Sequence, residues 1–485
     1  MTRRLVAATL LVLIQSAVVS VPAARETRAA GGCDPNYLPC IPPPPPDLDC
    51  SDIKIPVRVV GVDVHHLDGD HNGTGCESYG TPPPAPTPTP SPTDPAPVSP
   101  TPSCIADAAG TIAGVVIDQR AAQFVPVTPH RAFDTRRIGR GKICAGGTFT
   151  ANFGEVPGAT AVVLNLTATE ASQAGFVTAW PTGLSRPNTS NLNLTGVGQT
   201  RPNLVVVPLG AQGGVSFFSE NGTHLIADVV GYFVPDDSPD SGDGRLTSFT
   251  PERALDTRVG IGAPVGPLCA GCTMQLALAG RSGIPPTGVQ AVVVNVTGTG
   301  ALAGGFVTAW PTGPARPDTS TVNLAGPGDT APNLAIVPLG ADGSISLFSE
   351  RGTELIVDVF GYISAGGSAG LFVPSAPGRW LDTRQPGSPV GGKLAPDGVV
   401  TYAGSGAAGS AAVMLNITGT ASTAAGYVTA WPSGAARPNT SNLNLTDNDT
   451  RPNSAIIALG SDGAVSFFTE RGTHLIVDVF GSFTR

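Results

Sequence analysis

The chain has 485 residues, of which 62 are Gly and 48 are Pro, while Asp, Glu, Lys and Arg together make up only 13%. This composition favours short strands and many turns over helices. The net charge of −9 gives no case for nucleic-acid binding, because phosphate binding requires clustered Lys and Arg, and we expect no nucleic-acid partner.

The N-terminus has the layout of a secretory signal peptide. Arg3 and Arg4 precede an apolar run that ends at Val21, and Val21-Pro-Ala23 offers a cleavage point. We therefore predict a signal peptide over residues 1–23 and an extracellular or cell-surface location for a secreted bacterial protein. No later stretch reaches the roughly 18 consecutive apolar residues of a membrane helix, so no span is expected after signal removal.

Residues 33–80, which we call the head, are rich in cysteine and contain a candidate calcium loop. The run Asp68-Gly-Asp-His-Asn-Gly-Thr-Gly-Cys-Glu77 places side-chain oxygens at alternate positions, and Gly73 permits a sharp turn. Alternating oxygen donors around such a turn are typical of calcium loops. The predicted Ca²⁺ ligands are Asp68, Asp70, Asn72, the carbonyl of Thr74, and Glu77.

These residues resemble the excalibur calcium-binding domain, an extracellular bacterial module with the pattern D-x-D-x-D-G-x-x-C-E. The resemblance extends upstream to Cys50-Ser-Asp-Ile and implies one bound Ca²⁺ with Asp68, Asp70 and Glu77 as ligands. Asn72 replaces the third Asp of that pattern, which removes one negative charge. Two alternatives stay open: a disulfide-stapled loop without metal, and a zinc site on the nearby histidines His65, His66 and His71.

The segment that follows the head is a candidate spacer. Residues 81–103 are dominated by Pro, Thr and Ser, a composition that adopts extended polyproline II. It offers no apolar pattern for a core, so we predict a stiff linker.

The rest of the chain presents one pattern three times. Each copy has an Arg-x-x-Asp-Thr-Arg box, a Phe/Tyr-Val-Thr-Ala-Trp-Pro motif and an Asp-Val-Val/Phe-Gly ending. The tryptophans Trp180, Trp310 and Trp431 lie 130 and 121 residues apart, which suits a whole domain better than a solenoid unit. We predict three repeats, at 125–234, 248–364 and 371–485.

Inside each repeat the pattern is that of β-strands. The strand that begins at Ala161 is apolar on both faces. Near the end of repeat 1, Leu204–Leu209, Val215–Ser219 and Thr223–Phe233 suggest a meander with a hairpin turn at Asn221-Gly222. Strands buried on both sides imply two packed sheets. The predicted fold class is all-β, with three tandem β-sandwich domains of jelly-roll type after the small disulfide-rich head.

The eight cysteines suit an oxidising compartment. Alignment of the repeats gives Cys269 a local partner in Cys272 and leaves Cys144 for Cys104, so we predict the disulfides Cys104–Cys144 and Cys269–Cys272. A redox site or half of a zinc site is the alternative for the Cys-x-x-Cys. The remaining four lie in the head: Cys33, Cys40, Cys50 and Cys76.

The boxes carry charges that recur in every copy. Their aspartates are Asp134, Asp256 and Asp382, and the last strand of each repeat adds Asp228, Asp358 or Asp478. Two Arg and two Asp per copy predict a buried ion-pair network that fixes strand register. The alternative is a ligand site in which the arginines bind a carboxylate or sulfate.

A second candidate binding set combines the repeated tryptophans with nearby arginines. An exposed Trp beside an Arg stacks on sugar rings, whereas a buried Trp fills a sandwich core. The residues concerned are Trp180 with Arg186, Trp310 with Arg316, and Trp431 with Arg437.

No catalytic pattern recurs in the repeats. His224 and His474 align, but repeat 2 has Glu354 at that position, and no nucleophile elbow, zinc helix or phosphate loop is present. The repeated Asp pairs leave a carboxylate-based hydrolase as an alternative.

As whole units, the repeats resemble tandem β domains of secreted actinobacterial proteins. The shared phrases are Leu-Asp-Thr-Arg, Pro-Asn-Thr-Ser-Asn-Leu-Asn and Gly-Thr-His-Leu-Ile-Val-Asp-Val. The resemblance implies extracellular accessory modules and brings no activity. We expect a secreted non-enzymatic protein that associates with a cell wall, adheres, or binds a glycan or surface polymer. The alternative is a secreted polysaccharide hydrolase.

Overall fold

The computed structural model describes residues 34, 36–39, 41, 42, 44, 46–59, 62–81, 104–236, 243–365, 370–388, 390–404 and 409–485. The chain divides into two compact units, Met1–Ser99 and Pro100–Arg485. The predicted signal peptide, Cys33, Cys40 and nearly all of the predicted linker lie outside the described residues.

The head contains a small antiparallel sheet in the order β1-β2-β3. Its elements are β1 (Tyr37–Leu38), α1 (Cys50–Ile53), β2 (Val57–Val59), β3 (Thr74–Gly75) and a 3-10 turn (Glu77–Tyr79). Tyr37, Val57 and Leu67 are buried at its centre. A disulfide between Cys50 and Cys76 joins α1 to the end of the Asp68–Glu77 loop. The disulfide compensates for the small core.

Each repeat is built from strands of similar length and order. Repeat 1 contains β4 (Ala122–Asp134), β5 (Ile143–Asn152), β6 (Ala161–Thr169), β7 (Gly175–Pro181), β8 (Leu192–Leu194), β9 (Arg201–Pro208), a 3-10 turn (Ala211–Gly213) and β10 (Gly214–Pro235). Repeat 2 contains β11 (Arg245–Asp256), β12 (Cys272–Ala277), β13 (Val289–Thr299), β14 (Gly305–Pro311), β15 (Val322–Leu324), β16 (Ala331–Pro338), β17 (Ser344–Ser349) and β18 (Glu354–Ser364). Repeat 3 contains β19 (Phe372–Asp382), β20 (Pro396–Tyr402), β21 (Ser410–Thr420), β22 (Gly426–Pro432), β23 (Leu443–Leu445), β24 (Thr450–Ala458), β25 (Val465–Arg471) and β26 (His474–Thr484).

The strand order of each repeat is that of a jelly roll. Repeat 2 pairs its strands as β11-β18-β13-β16 and β12-β17-β14-β15, and repeat 3 follows the same scheme. With strands numbered within a repeat, the two sheets are therefore 1-8-3-6 and 2-7-4-5. The predicted all-β sandwich class is confirmed. Among the described residues, no helix has the length and hydrophobicity that crossing a membrane requires.

The predicted meander at the end of each repeat is wrong. β9 pairs with β6, whereas the first half of β10 pairs with β5 and β7 in the opposite sheet. Consecutive strands thus alternate between the sheets, except that β7 and β8 pair within one sheet. The Asn221-Gly222 pair does not form a hairpin turn either, because β10 runs through it from one sheet to the other and pairs with β4 and β6 beyond it.

The three repeats pack into one body. A single apolar cluster draws on all of them and includes Phe124, Phe233, Phe372 and Phe483. The rings of Phe233 and Phe372 lie 4.3 Å apart, and Phe372 also pairs with Ala122 across the strands β19 and β4. The sequence had left open whether the repeats act as separate beads; in the folded chain they share a core.

Buried asparagines close this assembly into a ring. Asn333 of repeat 2 donates to Asn165 of repeat 1 at 2.7 Å and accepts from the backbone of Leu204 at 3.0 Å. The same two bonds recur from repeat 3 to repeat 2 and from repeat 1 to repeat 3, through Asn453 to Asn295 and Leu334, and through Asn203 to Asn416 and Ser454. Each repeat therefore contacts the preceding one by the same surface, which is the geometry of a closed cyclic trimer within one chain.

Candidate functional site: clefts between neighbouring repeats

The Arg-x-x-Asp-Thr-Arg boxes form paired ion pairs. In repeat 1, Arg131 binds Asp228 through Nε (2.8 Å) and Nη2 (3.2 Å), and Arg136 binds Asp134 through Nε (2.9 Å) and Nη2 (2.7 Å). Strand register explains the first pair, because Arg131 lies directly opposite Asp228 across β4 and β10. The same pairs recur in the other repeats: Arg253–Asp358, Arg258–Asp256, Arg379–Asp478 and Arg384–Asp382.

The carboxylates of the boxes are buried, so the predicted network has the expected geometry. The side chains of Asp134 and Asp228 are 2% and 1% exposed, and those of Arg131 and Arg136 are 22% and 37% exposed. The acids therefore lie inside the fold, while the arginines reach its surface.

The two acids of a box differ in pKa. Hydrogen bonds from Arg384 lower the pKa of Asp382 to about 2, against the opposing effect of burial. Burial raises the pKa of Asp478 to about 6, although Arg379 acts in the other direction. The carboxylate next to two arginines is thus held firmly ionised, and the deeper one is not.

A loop from the next repeat lies against each box. The loops share the sequence Arg-Pro-Asn/Asp-Thr-Ser and span residues 186–190, 316–320 and 437–441. Ser441 donates its backbone N–H to Asp358 at 3.2 Å, and Arg379 donates to the carbonyl of Asn188 at 3.1 Å. The box of one repeat and the loop of the next therefore build one composite site.

Open clefts occur at two of these junctions. The cleft between repeats 1 and 2, which we call the 1–2 cleft, has a volume of about 280 Å³. Its lining includes Arg131, Arg136, Thr167, Thr169, Phe306, Arg316, Asp318, Ser320 and Asn323. The corresponding 2–3 cleft has a volume of about 150 Å³. Its lining includes Arg253, Arg258, Tyr427, Asn439, Ser441 and Asn444.

Each junction retains arginine donors that the fold does not use. Arg136 binds Asp134 through Nε and Nη2, which leaves Nη1 available. Arg316 stacks on Phe348, with its guanidinium carbon 3.8 Å from the ring centre, and makes no hydrogen bond or ion pair within the described part of the chain. The counterparts stack in the same way, Arg186 on Phe218 at 3.8 Å and Arg437 on Phe468 at 3.6 Å.

The junctions differ in charge at two positions. Repeat 2 has Asp318 where repeats 1 and 3 have Asn188 and Asn439. The junction of repeats 1 and 2 also has a further arginine, Arg137, whose Nε lies 3.6 Å from Asp134, where the other repeats have Val259 and Gln385. Four arginines therefore meet three aspartates at this junction, and three arginines meet two aspartates at each of the others. Asp318 also acts on the box itself, because it contributes to raising the pKa of Arg131.

The repeated tryptophans do not offer a free ring face for a sugar. Trp180, Trp310 and Trp431 are 3%, 6% and 5% exposed. Their indole N–H groups donate to the carbonyls of Leu184, Pro314 and Ala435. Because the following loop covers them, we remove them from the candidate sugar-stacking set and keep Arg186, Arg316 and Arg437.

Aromatic rings that sequence reasoning passed over lie in the clefts instead. Phe306 lines the 1–2 cleft and Tyr427 the 2–3 cleft, and both are half-buried. Each is the first residue of the Phe/Tyr-Val-Thr-Ala-Trp-Pro motif. Because side chains alternate along a strand, this ring lies on the same face as the Trp. It lies at the opposite end of the strand from the loop that covers the Trp, and so it stays uncovered. In a strand, residues an even number of positions apart share a face, so the spacing of four residues between Phe306 and Trp310 could have indicated that the ring lies beside the Trp.

In the head, one acid of the Asp68–Glu77 loop stabilises the turn, and two others face the side chain of Asn72. Asp68 accepts from the backbone N–H groups of Asn72 (3.1 Å) and Gly73 (2.7 Å) and so holds the turn. The amide nitrogen of Asn72 donates to Asp70 at 2.9 Å and to Glu77 at 2.7 Å. The carboxylates of Asp70 and Glu77 therefore converge on the side-chain nitrogen of Asn72, whose amide oxygen accepts from the N–H of Thr74. Carboxylate oxygens are ligands that Ca²⁺ prefers.

The fold gives less support to the alternative metal sites, namely zinc on the head histidines and half of a zinc site at Cys269 and Cys272. Among the described residues, no three His, Cys, Asp or Glu side chains gather in a way that could hold a metal, and this includes the acids of the Asp68–Glu77 loop. His65 is buried, with Nδ1 3.0 Å from Asp47 and Nε2 3.0 Å from the carbonyl of Pro42. Cys269 and Cys272 form a disulfide, as do Cys104 and Cys144, and these are the pairings predicted from the repeat alignment.

Comparisons with known proteins add little. No protein-family model matches the chain, and no curated protein matches it. One solved chain with some similarity is described as "The Triple Jelly Roll Fold and Turret Assembly in an Archaeal Virus". The identity is 8%, the alignment covers 78% of this chain and 98% of that one, and the TM-score is 0.15. Such a score supports no functional parallel, and the jelly-roll assignment rests on strand order.

Proposed function

We propose that the protein is an exported, non-enzymatic binding protein whose repeats hold an acidic surface polymer at the junctions between them. The observation that carries this proposal is the composite cleft, where unused arginine donors from two repeats meet. The pattern of residues 1–23 and the disulfides support export.

The cleft chemistry suits a carboxylated or sulfated glycan. Arg136 and Arg316 present free guanidinium N–H groups, which bind carboxylate and sulfate oxygens strongly. Asn323, which is half-buried in the cleft wall, adds an amide group for sugar hydroxyls. Phe306 supplies an apolar face beside them. Each of these features is weak alone, and together they match a charged, polyhydroxylated ligand.

The ring arrangement favours a polymer over a small ligand. All three junctions belong to one body, so their separations are set by the fold and not by flexible linkers. A chain long enough to reach two junctions gains affinity from the second contact at no further translational cost. A single sugar acid has no such gain.

The hydrolase alternative is less well supported. Glycosidases need two carboxyl groups at the sugar, about 5–10 Å apart. In the boxes the arginines line the clefts, whereas Asp134 and Asp228 are buried and bind arginine through both oxygens. Their divergent pKa values follow from burial and ion pairing. The geometry therefore supports binding without bond cleavage.

Binding to polygalacturonate, dextran sulfate and neutral dextran tests the proposal. Arg186, Arg316 and Arg437 are exposed and serve no buried acid, so a triple change to Gln removes ligand donors without leaving an unpaired carboxylate. We expect the full chain to bind at least one acidic polymer, and the triple variant to bind it at least about tenfold more weakly.

The control for charge is Arg351→Gln, an exposed arginine of repeat 2 outside the clefts. It is expected to leave binding unchanged. Equal binding to dextran and to both acidic polymers, or equal losses in both variants, would contradict the proposal. Release of reducing ends from any polymer would favour the hydrolase instead.

For the head, we propose one Ca²⁺ site formed by Asp70, Asn72 and Glu77, with Asp68 and the Thr74 carbonyl completing the oxygen set. The convergence of Asp70 and Glu77 on Asn72 supports it. Calorimetric titration of the full chain is expected to show one Ca²⁺ per chain. Glu77→Gln should abolish that signal, and Asp52→Asn, an exposed acid of α1, should not. No heat up to about 1 mM Ca²⁺ would overturn the site.

A further inference from the structure

A second, apolar cleft lies between repeats 1 and 2. Its volume is about 310 Å³, and its walls are Pro126–Pro129 of repeat 1 and, on repeat 2, Trp310, Pro311, Pro314 and Pro317. Proline has no backbone N–H, so these walls offer apolar surface and carbonyl acceptors but few donors. The cleft suits an apolar ligand that brings its own donors.

The chain itself covers the corresponding place between repeats 3 and 1. Ile112 donates its backbone N–H to the carbonyl of Gly183 at 2.8 Å. A Cβ atom at Gly183 would lie 3.1 Å from Val115 and 3.3 Å from Ile112. Further along, Gln119 lines a cavity with the start of β19, the counterpart in repeat 3 of Pro126–Pro129. Segment 112–119, which begins with a turn closed by the N–H of Val115 and the carbonyl of Ile112, therefore crosses this junction.

The equivalent position in repeat 2 is open. Gly313 follows Trp310-Pro311-Thr312 as Gly183 follows Trp180-Pro181-Thr182. A Cβ atom at Gly313 would meet nothing within 4 Å. No backbone hydrogen bond reaches the Gly313 carbonyl from the described residues. The junction of repeats 3 and 1 thus displays the contact, and the junction of repeats 1 and 2 displays the same glycine without it; Gly434, the equivalent in repeat 3, is open as well.

We propose that the cleft between repeats 1 and 2 is a docking site for an apolar peptide segment of another protein, one that presents a turn to Gly313 as segment 112–119 does to Gly183. Segment 112–119 serves as the internal example of such a ligand. It offers one backbone N–H for the glycine carbonyl and aliphatic side chains three residues apart. A partner segment with these properties would bind to Gly313 and to the proline walls in the same way.

The occupant is a different protein and not a second copy of this chain. In every copy, segment 112–119 is already placed on its own repeat 1. The Cys104–Cys144 disulfide and the backbone pairing of Ile105 with Lys142 and Cys144 attach its upstream end there. The segment is therefore not available for exchange between copies.

The test uses a fluorescent synthetic peptide with the sequence of residues 110–120 and the full chain. We expect saturable binding by anisotropy. Ala315 is an exposed residue of the cleft wall, and Ala315→Asp should weaken binding about tenfold, because it places a charge against the apolar peptide. Val127→Asp on the opposite wall should do the same.

Ser185→Asp is the matched control, since it adds the same charge at the same position of repeat 1, where the chain's own segment lies. It is expected to leave peptide binding unchanged. Absence of binding up to about 1 mM peptide, or binding that survives both cleft variants, overturns the proposal. Self-association of the chain that Ala315→Asp abolishes would show the occupant to be a second copy and would overturn it as well.

Discussion

At the scale of single residues, each arginine of the first two boxes binds a buried acid while its guanidinium lines a cleft. The sequence presented an ion-pair network and a ligand site as alternatives. Arg136 holds Asp134 through two nitrogens and lines the 1–2 cleft beside Arg316. A guanidinium has five N–H donors in a planar fork, so binding a carboxylate along one edge leaves others free. The two roles are therefore compatible in one side chain.

The ion-pair role predicts a pH-dependent effect of Asp382→Asn. Removal of one partner from a buried pair typically costs about 3 kcal/mol or more, so the variant should be less stable than wild type at pH 7. The pKa of Asp382 is about 2 in the folded chain, below its ordinary value near 4. Its contribution is therefore present above about pH 4 and is lost as the pH falls through about 2.

Chemical denaturation of both chains from pH 7 to pH 2 measures this effect. The difference in unfolding free energy between wild type and Asp382→Asn should narrow below about pH 4. Asp397→Asn makes the same chemical change at an exposed acid of the same repeat and should have little effect at any pH. A difference that stays constant over the whole range would mean that ionisation of Asp382 does not stabilise the fold.

At the scale of elements, strands buried on both faces were predictable and the connections between them were not. β6 is buried along its whole length, as its continuous apolar sequence indicates. The continuous strand β10 was predicted as two strands joined by a hairpin, because Asn221-Gly222 has the composition of a hairpin turn. Pairing of its first half with β5 and its second half with β4 and β6 outweighs that local preference.

The Arg-Pro-Asn-Thr-Ser loops have a purpose that appears only between repeats. Within one repeat, the residues just before such a loop cover the Trp, as the hydrogen bond from Trp431 to the carbonyl of Ala435 shows. Its far end binds the preceding repeat, where Asn295 donates to the carbonyl of Ser441 at 2.7 Å. A phrase that recurred in the sequence without an evident task is thus a connecting surface. Periodicity within one domain carries no information about such a contact.

At the scale of the whole molecule, the three repeats close a ring around buried asparagines. Asn333 satisfies groups of its own repeat and of repeat 1, since it also donates to the carbonyl of Thr321 at 2.7 Å. An amide that bridges two repeats links their unfolding. The shared apolar cluster around Phe372 has the same effect. The body should therefore unfold as one cooperative unit.

Asn333→Ala tests this coupling. The change leaves the N–H of Leu204 and the oxygen of Asn165 without these partners, at about 1–3 kcal/mol for each buried group. Calorimetry of the wild-type chain should give one main transition for residues 104–485, and the variant should shift that whole transition to lower temperature. Asn439→Ala, at an exposed loop position, is the control. Separate transitions, of which only one moves, would contradict a cooperative ring.

The sequence by itself determined the repeats, their β character and two disulfide pairings. These properties depend on local periodicity, on composition and on comparison between copies, all of which are visible along the chain. It also located the acids and arginines of the boxes, because a charged group that recurs among apolar residues must be paired when it is buried.

Only the tertiary structure decided how the repeats meet and which side chains face the clefts. Arg136 and Arg316 are 180 residues apart in the chain, and Asn203 contacts Asn416 across 213. Such contacts depend on the closure of three domains into a ring, and no short-range pattern encodes the angle between domains. The burial of the tryptophans was decided in the same way, because it depends on the path of a loop whose own sequence is compatible with an open site.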